Sequence, residues 1–425
     1  MSVRFVSSFF NRWKYLIFSC CVTYLLVFYV VNPAQRWEDD GRREVLPKHI
    51  ATHRIQPEVK PKTERPNRPS VKFNPVGVEP FQVEELLTDF PVKLKERLTC
   101  KVKEGEKRII LSWNAGHSQD NLGGCKDWNC EFTTNKNKLS EAHAVLMSGH
   151  DPKLTRQSPN QYFIHFSQES PKNSFAASPY PGYYNMTIGF RHDSATASPY
   201  GYTVKLGEKS FLKGDIVDKE LIKKKTKGAA WFVSHCSTNS KREVFIRKFQ
   251  EHYPVDIYGG CGTMKCPRNG QCESVLDKDY DFYIAFENSI CKDYNTEKLW
   301  KHGYTHTVIP IVMKRSIAEP FSPPHSFIAI DDFKTLKDMA DHLNYLRQNR
   351  TAYMEYFEWR REYKVIFLDG SHHDVLERPW GFCQVCRLIW EEPKPSYAIN
   401  DWQQFWTNSC EKDGELVDKI LANSK

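Results

Sequence analysis

Short apolar runs, each closed by a polar turn and most followed by a helical pattern, constrain this chain more than any other feature. Residues 109–113 read Ile-Ile-Leu-Ser-Trp, residues 144–147 Ala-Val-Leu-Met and residues 161–166 Gln-Tyr-Phe-Ile-His-Phe. A second series follows: Ala-Ala-Trp-Phe-Val-Ser at 229–234, a helical stretch over 242–252, Val-Asp-Ile-Tyr-Gly at 255–259, Phe-Tyr-Ile-Ala-Phe at 282–286 and Thr-Val-Ile-Pro-Ile-Val at 307–312. Runs apolar on both faces of the pleat must be covered on both faces, which predicts parallel strands with crossover helices in βαβ units. Two α/β halves in tandem are expected, although the pattern alone leaves a single larger sheet open.

The run at 282–286 feeds a polar stretch, Phe-Glu-Asn-Ser-Ile-Cys-Lys-Asp-Tyr-Asn-Thr-Glu-Lys-Leu-Trp at 286–300, with a helix expected to open at 296. Ligands of open α/β sheets bind at such strand-to-helix crossings, where a helix start offers backbone N–H groups to phosphate. Asn288, Tyr294, Glu297 and Lys298 would face one bound group. Lys298 can neutralise phosphate, Glu297 can accept from sugar hydroxyls, and Tyr294 can stack while donating its O–H. By spacing alone a plain polar connection stays open.

Ahead of the globular texture the chain changes character twice. Arg4, Arg12 and Lys14 precede residues 15–31, which carry no charge. As a helix at ~1.5 Å per residue this run covers about 25 Å, close to the lower limit for a span, and the preceding cations place the N-terminus in the cytosol. A secretory signal peptide is the rival reading, but Val30-Val31-Asn32-Pro33 is a poor cleavage site. From 32 to about 100, prolines recur at 33, 47, 57, 61, 66, 69, 75, 80 and 91, which predicts an extended stem, locally helical only over 83–90. Thirteen cysteines favour an oxidising lumen, and a net charge of +8 is too diffuse for nucleic acid.

Phe-Glu-Asn-Ser at 286–289, Asp-Tyr-Asn-Thr-Glu-Lys at 293–298, Val-Ile-Pro-Ile-Val at 308–312 and Pro-Pro-His-Ser-Phe-Ile-Ala-Ile-Asp-Asp-Phe at 323–333 closely resemble the signature of the α1,3-fucosyltransferase family. The similarity runs, with gaps, from about 108 to 387. It implies an inverting enzyme that moves L-fucose from GDP-fucose to N-acetylglucosamine of a glycoprotein or related glycan. It also implies a GT-B fold of two Rossmann-like domains with a cleft between them. The expected organisation is a cytosolic tail (1–14), a transmembrane signal-anchor (15–31), the stem (32–100), an acceptor-side domain (101–225), a GDP-fucose-binding domain (226–390) and an extension (391–425) packed on the body. Such a chain would be a type II Golgi membrane protein with a lumenal catalytic part.

The resemblance also assigns roles. Glu169, in Ser-Gln-Glu-Ser-Pro at 167–171 past the third run, matches the family's general base. Arg242, Asn288, Tyr294, Glu297 and Lys298 match its GDP-fucose contacts. His235 stands where relatives have Asn, and Lys314 where most have Gly, which puts a hydrogen bond and the cleft's width in doubt. Four cysteines allow three pairings; the resemblance suggests that Cys383 and Cys386 pair with Cys125 and Cys130. One local bridge is expected among Cys261, Cys266 and Cys272. Asn185 and Asn349 head glycosylation sequons.

No cofactor and no metal ligand is expected. Asp277, Asp279 and Asp281 are set aside as a metal pair, with stimulation by a cation such as Mn²⁺ left open. Residues 223–227, Lys-Lys-Lys-Thr-Lys, are read as a solvated loop rather than a steering patch. The expected partners are GDP-fucose, a glycan acceptor (N-glycan core or lactosamine-type antenna), the Golgi membrane and, as an option, a second copy of the chain. A catalytically decayed glycan-binding protein of the same fold is the alternative reading.

Overall fold

A computed structural model of the chain describes residues 70–75, 79–88, 93–174, 176–266 and 272–424. The expected cytosolic tail, membrane anchor and most of the stem lie outside the described residues, among which no helix is long and apolar enough to cross a membrane.

The folded body begins inside the stretch expected to be stem. Strands β1 (Val71–Phe73) and β2 (Phe81–Leu86) pair antiparallel. The helical reading of 83–90 is therefore corrected over 83–86, while 89–90 lie outside the described residues. Phe81, Val83 and Leu86 face inward while Gln82, Glu84 and Glu85 stay more exposed, a near-alternating pattern that suits a half-buried strand. Residues 71–73 and 81–86 fold because partners remote in sequence supply the core that their own composition lacks.

Next come β3 (Arg108–Ser112), β4 (Cys130–Thr133), β5 (Ala144–Met147), β6 (Tyr162–Ser167) and β7 (Met186–Gly189), in the order β4-β3-β5-β6-β7, all parallel. Strand β8 (Gly201–Leu206) leaves this lobe to pair with β2. The second lobe repeats the first lobe's topology. Its strands β9 (Lys227–Phe232), β10 (Val255–Tyr258), β11 (Tyr280–Ile284), β12 (Ile309–Val312) and β13 (Ile328–Ala329) run parallel in the order β10-β9-β11-β12-β13. Strand β14 (Tyr363–Phe367) then pairs with β8, closing a four-stranded antiparallel sheet, β1-β2-β8-β14. Two parallel sheets, not one larger sheet, are what the chain builds.

Both parallel sheets are buried on both faces, as their unbroken apolar runs require. On β9 and β11, Ala229, Trp231, Phe282 and Ile284 face one core while Ala230 and Tyr283 face the other. Helices α1 (Arg242–Phe249) and α2 (Ser274–Asp279) follow β9–β10 within the second lobe, and α3 (Leu336–Gln348) lays Leu336, Met339, Leu343 and Leu346 on its core. That stripe recurs at the helical period read in the sequence.

The C-terminal part crosses between lobes twice. Helix α4 (Gly381–Trp390), expected in the second domain, is buried against the first sheet, where Cys125–Cys383 and Cys130–Cys386 disulfides fix it. Trp402 and Trp406 pack beside β5 and β6, whereas α5 (Glu415–Asn423) returns Val417 and Ile420 to the second lobe's core. Three further bridges join Cys236–Cys261, Cys266–Cys272 and Cys291–Cys410; only the second falls within the three cysteines expected to hold a local bridge, and the other two were not foreseen.

His165 on β6 gives this core a pH dependence. Its ring is fully buried among Tyr184, Trp402 and Trp406, and among the described residues neither ring nitrogen finds a partner. Burial pulls its pKa from 6.5 down to about 3. Between those values the unfolded chain binds a proton that the fold refuses, so the stability is complete above pH 6.5 and is lost as pH falls toward 3. His143 and His192, lowered to about 4 and about 3 by burial, act in the same direction. Urea denaturation of His165→Phe is expected to show a shallower loss of stability than the parent chain between about pH 7 and about pH 5. An unchanged slope would clear His165 of this role.

Candidate active site

The strand order β10-β9-β11 makes the connections diverge between β9 and β11, the place where doubly wound sheets bind ligands at their carboxyl ends. The loops leaving those two strands hold His235 and Asn288. Arg242, in the first turn of α1, lies beneath them, donating to the Phe286 carbonyl at 2.6 Å and to the His235 carbonyl at 3.3 Å. It is almost fully buried, its guanidinium 5.7 Å from the Trp231 ring. Burial lowers its pKa, opposed first by Glu287. Arg242, expected to fork onto a diphosphate, here holds its charge under the loops and ties them together.

Past β11 the polar stretch folds around Glu287, which sequence reasoning passed over. Its carboxylate accepts the Thr296 N–H at 2.7 Å, the Thr296 hydroxyl at 2.8 Å and Lys298 Nζ at 3.1 Å. The N–H expected to greet a phosphate is therefore already taken at Thr296. The helix expected from 296 is a wide π-type turn, Lys298–Gly303, in which the Tyr304 N–H reaches back to the Leu299 carbonyl. Lys298 uses its three donors on Thr296 Oγ1 (2.8 Å), Glu297 (2.9 Å) and Glu287.

The titration of this cluster follows from burial and pairing. At Glu287 burial prevails and raises the pKa despite Lys298. At Glu297 burial works upward, but Lys298 outweighs it and the pKa is lowered. Burial would lower Lys298, yet Glu287 and Glu297 together raise it. The ammonium stays charged, held between two carboxylates at the mouth of the switch point.

Glu169, from the other lobe, meets this loop. It is exposed just past β6, accepts the Tyr294 hydroxyl at 3.2 Å and lies 3.5 Å from Asn288 Nδ2. Next to it, the Ser289 hydroxyl donates to buried Ser170 at 2.6 Å, so the Glu-Ser-Pro and Glu-Asn-Ser segments are joined side by side. Tyr294 is buried, its ring 4.8 Å from Phe190. Tyr200, at the start of the β8 segment, donates to the Gln168 carbonyl at 2.9 Å; burial raises its pKa, helped by Glu297, Glu287 and Glu169 in that order. No sequence signal pointed to Tyr200, whereas Glu287 stood inside the quoted motif.

Other expected residues fall elsewhere. The His235 side chain is exposed, and Lys314 pairs with Glu411 from the C-terminal extension beside Glu287 and Tyr294. Asp281 is fully buried between Arg347 and Arg350, and Asp277 holds His306, so these two of the three aspartates are committed away from the switch point. Lys225, read as solvated, is buried against the carbonyls of Leu276, Tyr280 and Thr307, and burial lowers it to about 8. Lys223 and Lys224 are exposed as expected. The Asn185 amide is built into the fold, donating to the Tyr397 carbonyl and accepting from the Phe163 N–H and Arg156; Asn349 caps the helix at Arg350–Glu355.

A cavity of 220 Å³ opens beside Gln168, lined by His117, Asn121, Phe166, His373, Glu377 and Phe382 among others. The 660 Å³ cavity around Arg191, Asp193 and Lys292 is larger but is lined by none of the residues expected to bind the donor or act as base. Volume therefore does not single out the place where Glu169 meets Tyr294 and Asn288 across the lobes.

Two family profiles match the chain: "Fucosyltransferase, N-terminal" over residues 105–201 and "Glycosyltransferase family 10 (fucosyltransferase) C-term" over residues 222–405. The chain is 57% identical over 431 residues to "Alpha-(1,3)-fucosyltransferase fut-1" of Caenorhabditis elegans, covering 99% of each. It is 32% identical to "Alpha-(1,3)-fucosyltransferase C" of Drosophila melanogaster, covering 72% of this chain and 76% of that one. A solved structure, "Crystal Structure of alpha1,3-Fucosyltransferase with GDP-fucose", aligns at 16% identity with a TM-score of 0.46, covering 71% of this chain and 96% of that one. With both of its halves matched and a full-length relative at this identity, the chain belongs to glycosyltransferase family 10, the fucosyltransferases.

Proposed function

We propose that the protein transfers L-fucose from GDP-fucose, in α1,3 linkage and with inversion, to N-acetylglucosamine of a glycoprotein or related glycan. One observation carries this reading: the Glu169 carboxylate of the first lobe rests against Tyr294 and Asn288 of the second lobe's switch-point loop. A base and a donor-binding loop thus share one opening. Glu169 takes the proton of the acceptor hydroxyl as its oxygen attacks the anomeric carbon, and the bond to the GDP oxygen breaks on the opposite face. The diphosphate gains charge as it leaves. Lys298, exchanging Glu297 for a phosphate oxygen, and the fixed positive charge of Arg242 beneath the loops stabilise it.

The paired α/β lobes suit a GT-B arrangement, and the acceptor would enter along the cavity by Gln168. Five disulfides among the described residues and the uncharged run at 15–31 support a lumenal catalytic part on a Golgi type II anchor. The test is to mix the purified chain with GDP-fucose and a panel of N-glycan core and lactosamine-type acceptors, measure GDP release and determine the linkage of the product. Release of GDP with α1,3-fucosylated product is expected. Binding of glycans without GDP release would instead establish a decayed, glycan-binding relative.

A further inference from the structure

Behind the donor loop, on the same π-type turn that begins with Lys298, three side chains converge that the transfer reaction does not use. His302 lies within the turn, His306 just beyond it, and Glu273 just before α2. One ligand atom from each lies within 4.8 Å of the other two. His302 Nδ1 and His306 Nε2 both stand 3.9 Å from the Glu273 carboxylate, on its two different oxygens. We propose that Glu273, His302 and His306 form a binding site for a first-row divalent cation of the Zn²⁺ class, which pins the Lys298 turn to α2.

The surroundings prepare these atoms as ligands. Asp277, one helical turn along α2 from Glu273, engages His306 Nδ1 at 2.7 Å and is itself fixed by the Thr307 N–H at 2.6 Å. A carboxylate on one ring nitrogen holds the imidazole so that the other, Nε2, presents its lone pair, the arrangement common behind metal-bound histidines. The His302 ring is clamped edge-on by Phe232 at 5.5 Å and tilted against Tyr283 at 5.4 Å, while its buried Nδ1 has no hydrogen-bond partner among the described residues.

Two imidazoles and one carboxylate are a donor set for Zn²⁺, with a fourth position left to water. Tetrahedral ligands at about 2.0–2.2 Å from Zn²⁺ lie roughly 3.4 Å from one another, so the three ligand atoms, which span up to 4.8 Å here, must draw together on binding. A cation already favours this spot: Lys301 Nζ sits 2.8 Å from Glu273 and, being partly exposed, can swing outward when a metal arrives. The site also differs from the Asp-x-Asp reading of the sequence, since Asp277 serves behind a ligand instead of as one.

The test uses the full-length chain, stripped with a chelator and titrated with Zn²⁺ or Co²⁺ alone. Metal analysis is expected to show about one tightly held equivalent, Co²⁺ to give an intense visible band typical of low coordination, and Zn²⁺ to raise the melting temperature. The double variant His302→Ala/His306→Ala should lose all three. Asp277→Asn should keep the stoichiometry but weaken affinity roughly 10–100-fold, an effect a merely structural aspartate would not produce. His372→Gln, at an exposed histidine elsewhere, should bind as the parent does. Circular dichroism of each variant separates loss of the site from loss of the fold. Equal Zn²⁺ uptake and equal melting shifts in the parent and the double variant would overturn the proposal.

Discussion

Glu169→Gln is expected to lower turnover at least ~100-fold, the lower end for a positioned base, while GDP affinity stays at the parental level. The amide keeps the shape of the carboxylate and an oxygen for the Tyr294 hydroxyl to bond, so the loop carrying Asn288 and Ser289 should remain in place. What the substitution removes is the capacity to accept the acceptor's proton as the new bond forms. Steady-state kinetics with a saturating donor, together with calorimetric titration by GDP, separates the two effects. Turnover near that of the parent would take Glu169 out of the chemistry and leave it a strut between lobes. Weakened GDP binding would mean that it positions the donor loop.

The second large effect is expected at Glu287, and it should appear in stability. Glu287 is buried and collects the Thr296 N–H, the Thr296 hydroxyl and Lys298, with the Arg242 charge nearby. Glu287→Ala leaves two cations without their shared counter-charge and a buried N–H without its acceptor. Removing one partner of a buried pair costs roughly 3–5 kcal/mol, readable as a lower denaturation midpoint. Glu287→Gln divides charge from hydrogen bonding: it retains an acceptor for Thr296 but releases Lys298. That variant should lose less stability and bind GDP at least as tightly, because the ammonium is then freer to meet phosphate. A change under about 1 kcal/mol in Glu287→Ala would mean that the cluster behaves as an exposed ion pair.

Lys298 shows why a motif gives chemistry before it gives geometry. Its charge and its place in the loop could be read directly, yet in the structure all three of its donors are already occupied by neighbours. Arg242 likewise has the expected position at the head of a helix, but its guanidinium turns inward to two carbonyls. Each residue's local element was legible because apolar periodicity encodes it. The direction of a long polar side chain was not, because that depends on which loops the sheet brings together above it.

The same division explains the misread stretch at 83–90 and the placement of α4. Strand β2 alternates well enough to pair, but its proline-rich flanks hid that signal, and its partner β8 lies more than a hundred residues downstream. Helix α4 is apolar on nearly every side, so its sequence demanded burial without naming the lobe that would supply it. The disulfides from Cys125 and Cys130 record the answer.

By itself the sequence determined the two series of buried parallel strands, the core stripe of α3 and the residue types gathered at the switch-point loop, since each is written in the spacing of neighbours a few positions apart. Only the tertiary structure decided that Glu169 would touch Tyr294, that Glu287 would organise the cations, and that the C-terminal helices would stitch the lobes together. Such contacts join segments far apart in the chain, and their free energy depends on burial and exclusion of water, which no local pattern specifies.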